Sequence, residues 1–166
     1  LSNYHGIIND TLVYQKDFIL PIDFYHANNQ VLLHFGAVDQ LTKVYVNNRY
    51  IGSHSGGYLP FYFDISSSLN DGVNKLVMKV TDSLSHDYPY GKQSRESHGM
   101  WYTQVSGIWQ TVWVEAVSKN CIKDLLITPS LTGINLKVNT EASRYTVTIE
   151  NNDFKKTYTA KDTDIT

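Results

Sequence analysis

Residues 35–65 read FGAVDQLTKVYVNNRYIGSHSGGYLPFYFDI, and this stretch decides the fold class. Lys43 to Asn47 alternates polar and apolar side chains, the period of a half-buried strand. Asn47-Asn48 supplies a turn that tolerates positive φ, and Tyr50-Ile51-Gly52 returns, so a hairpin is predicted here. Pro60 to Ile65 is a further strand. Working upstream, Val31 to Phe35 is a nearly continuous apolar run, which predicts a strand buried on both faces. Thr11 to Leu20 is a strand that stops at Pro21, whose nitrogen has no proton for a ladder. Downstream, the polar connector Ser66 to Asn74 carries the turn signal Asn70-Asp71-Gly72, and Lys75 to Thr81 alternates again. From Asp82 to Gly99 the pattern gives way to Ser, His, Asp, Pro, Gly and charge. A loop this long inside a compact domain is usually functional or disordered. Gln110 to Val117 resumes strand character. The sum is about eight to ten short strands with no convincing helix, which predicts an all-β sandwich or jelly roll.

Composition narrows the function classes. The chain of 166 residues holds one full domain with little left for a second. Tyr is heavily used and Val, Ile and Thr are common, again favouring strands. The net charge of −2 is made of interspersed signs, with no basic stripe, so nucleic acid is not an expected partner. The longest apolar runs are of strand length, far below the about 20 residues of a membrane span, so a soluble chain is expected. The one cysteine, Cys121, has no partner for an internal disulfide. His5, His26, His34, His54, His86 and His98 are scattered without metal-ligand spacing, and no metal site is predicted. Asn9-Asp10-Thr11 fits a glycosylation sequon, a pattern common by chance.

Several local patterns admit both a chemical and a structural reading. Gly56-Gly57-Tyr58-Leu59-Pro60-Phe61 could be taken for a phosphate cradle, but no helix follows and the GxxxxGK[ST] spacing is missing. The structural reading is a glycine bend with positive φ, Tyr58 and Phe61 plugging the sandwich on either side. Ser53-His54-Ser55 fails as a nucleophile–base pair, because adjacent strand residues point to opposite faces. Trp101, Trp109 and Trp113 could stack a pyranose ring. For Trp109 and Trp113 the expectation is core packing; Trp101 adjoins the long loop, and either role fits it. Asp64 is expected to bond backbone at a turn and Glu115 to end a strand. Glycosidic hydrolysis needs two carboxyl groups about 5–9.5 Å apart, and no acidic pair here has a spacing that singles it out.

Residues 35–65 and a second stretch, Gly99 to Glu115 (GMWYTQVSGIWQTVWVE), together resemble the signature of the sugar-binding domain of glycoside hydrolase family 2. This is the β-galactosidase, β-glucuronidase and β-mannosidase group. The resemblance covers Leu12 to Val117 strongly and the remainder weakly. It implies a jelly-roll β-sandwich of the galactose-binding type over residues 1–118, then the first strands of an immunoglobulin-like sandwich over 119–166. Ile122–Thr128, Gly133–Val138, Tyr145–Glu150 and Phe154–Tyr158 supply those strands. Such a sandwich needs about seven, so this segment is expected to be incomplete, either an appendage of the first domain or part of a truncated one.

The resemblance also implies a function. The chain would be the non-catalytic sugar-binding domain of an exo-β-glycosidase that cleaves terminal β-glycosidic bonds. The catalytic glutamates would lie on a (β/α)₈ barrel beyond the immunoglobulin-like domain, leaving these residues inactive alone, with no cofactor of their own. Expected partners are a carbohydrate substrate and the remaining domains of the same polypeptide. By position in the family pattern, Asp39 would contact the sugar, its carboxylate accepting hydrogen bonds from adjacent hydroxyls; on sequence alone an exposed turn aspartate fits equally. Tyr90-Gly91-Lys92-Gln93 resembles a GKQ stretch of one branch, making Lys92 and Gln93 candidates to reach substrate or a neighbouring domain, with Trp101 beside them. Where the best-matching β-galactosidases carry an acidic residue before Met-Trp, this chain has Gly99, preceded by His98. That departure counts against galactose specificity. The other functional class is a free-standing carbohydrate-binding module, since jelly rolls also serve as lectins.

Overall fold

The computed structural model describes residues 11–21, 24, 29–160 and 164–165, and the chain divides into two compact units, Leu1–Ala116 and Val117–Thr166. His5, Asn9, Asp10 and His26 lie outside the described residues. The first unit opens with β1 (Thr11–Ile19), β2 (Asn29–Phe35), β3 (Val38–Asp39), β4 (Leu41–Val46), β5 (Arg49–Ser55) and β6 (Phe61–Asp64). A short 3₁₀ turn, Ser66–Ser68, leads to β7 (Val73–Thr81). Then follow β8 (Gln93–Ser94), β9 (Tyr102–Thr103), β10 (Gly107–Ile108) and β11 (Val112–Ser118).

Two sheets enclose the core. One has the order β1-β7-β4-β5 and the other β11-β2-β6. From the first, Val44, Val46, Met78 and Val80 point inward; from the second, Val31, Leu33 and Phe35 meet them. These positions alternate along each strand, as a pleated strand with one buried face requires. The β4–β5 hairpin turns on Asn47 and Asn48, both at positive φ (50° and 65°), the geometry of the turn that matches strand twist. Asn47 also ties the turn down: its amide donates to Ser68 O and Asn74 Oδ1, both at 2.7 Å. Asn74, 1% exposed, answers the NH of Asn70 and the carbonyls of Asn70 and Gly72. The polar connector is thus closed by its own asparagines.

The expectation that Val31 to Phe35 is buried on both faces holds for one face only. Leu32 and His34 point outward and are half-buried. Trp113 stacks on the His34 ring (4.8 Å, 5° between planes), and Tyr62 tilts against its other neighbour side. Aromatic side chains of β11 and β6 therefore cover this face, where a further layer would otherwise be needed. Asp64 behaves as expected, accepting from Ser66 N at 2.9 Å and from Gln30 Nε2 at 3.0 Å. Glu115 lies within β11, its Oε2 3.1 Å from His34 Nε2.

The second unit contains β12 (Ile122–Pro129), β13 (Ile134–Thr140), β14 (Tyr145–Asn151), β15 (Phe154–Ala160) and β16 (Asp164–Ile165). They form a sheet of order β12-β13-β16 and the hairpin β14-β15. Leu136, Val138 and Tyr145 are its buried apolar residues. Every residue of β12 is exposed, including Ile122, Leu125, Leu126 and Ile127.

Candidate functional site

The segment Ala37-Val38-Asp39-Gln40 places one carboxyl at a corner of the first unit. Ala37 and Val38 are fully buried and Gln40 is 4% exposed, so Asp39 has little freedom to move with its backbone. On one side β3 pairs with β10, Asp39 opposite Gly107 and Val38 opposite Ile108. The NH groups of Trp109 and Gln110 both approach Ala37 O at 3.4 Å. On the other side Gly56 N donates to Gln40 O at 3.2 Å. The Asp39–Gln40 peptide is cis.

Gly57 comes against the carboxyl itself. A Cβ at residue 57 would lie 2.5 Å from Asp39 Oδ1, so only glycine lets the bend close on this group. The Trp109 indole NH donates to Gly57 O at 2.7 Å, and Tyr58 meets the Trp109 ring edge-on at 6.4 Å. A second carboxyl lies behind. Asp82 is 4% exposed and accepts from Ser106 Oγ at 2.6 Å, Gln104 Nε2 at 3.3 Å and Leu84 N at 3.3 Å. Its burial and three donors make it an electrostatic neighbour of Asp39 rather than a group that meets a ligand.

Burial, and then the like charge of Asp82, push the Asp39 carboxyl up to about 6 from an ordinary 3.8. An acid raised in this way binds its proton more tightly in the folded chain. The folded state is therefore favoured most below about pH 4, and that preference is lost as pH rises through about 6. Asp39→Asn removes the titration. Because the group is part-exposed, screening leaves on the order of 1 kcal/mol, about 2–4 °C in the unfolding midpoint. The variant should melt higher than the native chain by that amount at pH 7.5 and at the same temperature at pH 4. Equal differences at both pH values would refute this account.

The long loop is fastened to the same corner. Gln93 Oε1 accepts from Val105 N at 2.6 Å, and Lys92 O from Tyr102 N at 2.8 Å, supporting a short parallel β8–β9 pair. Gln104 and Ser106 then anchor the far end on Asp82. Gln93 is thereby engaged within the loop, while the Lys92 side chain is exposed and Trp101 is 40% exposed. Among the described residues, no hydrogen bond or ion pair joins Lys92, Gln93 or Trp101 to Asp39.

Residues 4–117 match the family described as glycosyl hydrolases family 2, sugar binding domain. The chain belongs to this family. A β-galactosidase of Thermoanaerobacter pseudethanolicus is 35% identical over 114 residues, 68% of this chain and 14% of that protein. A putative β-glucuronidase of Formosa agariphila is 30% identical over 115 residues, 69% of this chain and 13% of its own length. The chain thus spans about a seventh of these relatives. Among solved structures, a Ruminococcus gnavus β-glucuronidase aligns with TM-score 0.75 and 26% identity, covering 93% of this chain and 28% of its own.

Three aromatic assignments are corrected in this family 2 domain. Trp109 and Trp113 are not core residues: they are 51% and 42% exposed. Strand alternation explains it, since Ile108, Val112 and Val114 take the inward positions and leave the tryptophans outward. Tyr58 does not plug the sandwich either, at 53% exposed. Phe61 alone turns inward, stacked on Phe35 and His54. The bonds of Gln104 and Ser106 to Asp82 and of Trp109 to Gly57 carry no local sequence signal, since they join residues 22–52 apart. Among the described residues, no group of three or more His, Cys, Asp or Glu is placed to hold a metal ion, and no helix is long and apolar enough to cross a membrane.

Proposed function

We propose that this chain is the sugar-recognition part of a family 2 exo-β-glycosidase, and that Asp39 holds hydroxyls of the terminal sugar at the mouth of a separate catalytic barrel. The observation that carries the proposal is the Asp39 corner. One part-exposed carboxyl is fixed by pairing on both sides and by glycine at 57, inside the stretch matched to the family. A carboxylate so held loses little freedom when it accepts two hydroxyl protons, which favours binding. Lys92 and Trp101, exposed on the loop tied to Asp82, are the next candidates to meet the substrate. Gln93 contributes by shaping that loop.

The second unit is proposed to open an immunoglobulin-like sandwich that continues in the full-length protein. Two observations support this. The likeness to the Ruminococcus gnavus β-glucuronidase covers 93% of the chain and so extends past residue 117. β12 also carries apolar residues exposed on both faces, as a strand does before its covering layer is in place.

The test is hydrolysis of aryl β-galactoside, β-glucuronide, β-mannoside and β-glucoside by the full-length protein, beside these 166 residues alone. One glycoside should be cleaved by the former and none by the latter. Asp39→Ala should then lower kcat/KM about 10- to 100-fold, the worth of hydrogen bonds to a charged group. No cleavage by the full-length protein, with micromolar binding of a monosaccharide by this chain, would instead establish a free-standing carbohydrate-binding module.

A further inference from the structure

We propose that Trp109 is a positioning residue for Asp39, its indole NH acting through the Gly57 carbonyl to hold the glycine bend against the Asp39 carboxyl. The inference rests on the reading that Asp39 meets the sugar, and it adds a residue to that site.

The geometry is specific. Trp109 is 51% exposed, so burial of its ring does not explain its presence. Its indole NH is nevertheless engaged at 2.7 Å by Gly57 O, a contact between residues 52 apart. Gly57 is in turn the residue whose Cβ position falls 2.5 Å from Asp39 Oδ1. The Trp109 backbone NH points to Ala37 O, two residues before Asp39. One tryptophan thus holds the backbone that bears the carboxyl with its own NH and the bend that confines the carboxyl with its ring. Without the indole link, the 56–57 bend is held to this corner by Gly56 N on Gln40 O, at 3.2 Å. It would be free to swing from the carboxyl, and Asp39 would gain rotamers and water. Titratable groups at the corner include Asp82 behind it, His54 of β5, whose Nε2 is 3.8 Å from the Cβ position of Gly56, Tyr58 against the Trp109 ring and Tyr14 beside Gly107. Burial lowers the His54 pKa, and the like charge that acts on Asp39 is that of Asp82.

An exposed tryptophan could instead be a stacking platform for the sugar. Trp109→Phe separates the two roles, because it keeps an aromatic face and removes the NH. In the full-length protein, on the aryl glycoside it cleaves, Trp109→Phe should lower kcat/KM about 3- to 10-fold. In an Asp39→Ala background the same change should cost less than about 1.5-fold, since the two act as one unit. The acid limb of the kcat/KM profile should also move to lower pH in Trp109→Phe, as Asp39 gains solvent. Gly57→Ala, which drives a methyl into the carboxyl, should reproduce the loss without touching the tryptophan. Equal losses from Trp109→Phe with and without Asp39, or an unmoved acid limb, would overturn the positioning role. If Asp39→Ala leaves kcat/KM unchanged, the sugar-contact reading falls and takes this inference with it.

Discussion

Phe35→Ala is expected to destabilise the first unit by about 3–5 kcal/mol, the range for deleting a fully buried aromatic side chain. Phe35 is 0% exposed, lies stacked on Phe61 at 4.7 Å and meets the edge of Phe63 at 6.4 Å. It closes the inward row of β2 after Val31 and Leu33. Its loss forfeits the transfer energy of the ring and leaves a cavity that two strands, hydrogen-bonded on either side, cannot collapse to fill. Urea unfolding should show the midpoint falling with the slope unchanged. Tyr62→Ala is the comparison, an aromatic of the adjacent strand that is 52% exposed on the outer face; it should cost under about 1 kcal/mol. Comparable losses in the two variants would contradict the assignment of the core.

Gly107→Ala should cost about 2–4 kcal/mol, from two separable causes. Gly107 has φ +99°, a region that costs a residue with a Cβ about 1–2 kcal/mol. The added Cβ would also stand 2.0 Å from Tyr14 Oη and 3.1 Å from Leu12 Cδ1, so β1 must shift or β10 must part from β3. Tyr14 is held there, its hydroxyl accepting from Ile108 N at 3.3 Å. Tyr14→Phe removes the oxygen that is struck, so Gly107→Ala should cost roughly half as much in that background. An unchanged cost would leave backbone strain as the whole cause. A loss below about 1 kcal/mol in the native background would show that the corner yields more easily than its packing implies.

The parts of this fold that could be read in the sequence are those governed by near neighbours. Lys43 to Gly52 announced its hairpin because alternation and two asparagines able to take positive φ are local properties, and the strands bounded by Pro21, Asn70-Asp71-Gly72 and Ser118 were legible for the same reason. The facing of individual aromatics was less so. Trp109 and Trp113 are large and apolar, which argues for burial, yet each sits one residue from a position that already points inward, and the pleat overrides the preference; Tyr58 lies in the bend between β5 and β6, where no strand alternation turns it to the core. Asp39 was located through the family pattern. What surrounds it, Asp82 with its bonds to Gln104 and Ser106 and the Trp109–Gly57 link, depends on chain segments that meet only after folding, and no spacing in the sequence records that meeting.

The pairing of β1 with β7 carries a consequence for synthesis. Thr11 lies opposite Thr81, their hydroxyl oxygens 3.0 Å apart across 70 residues of chain. The β4–β5 hairpin closes over two turn residues, and a hairpin of this kind pairs on a scale of microseconds once both strands are made. β1 leaves the ribosome before β7, its partner in the sheet, which follows roughly 3–14 s later at ordinary elongation rates. Through that interval Tyr14 and Phe18, the β1 side chains that pack against the core, remain uncovered. Because Tyr14 meets Gly107, and Gly107 lies opposite Asp39, the corner that bears the carboxyl closes only when β10, made after β7, reaches both β1 and β3.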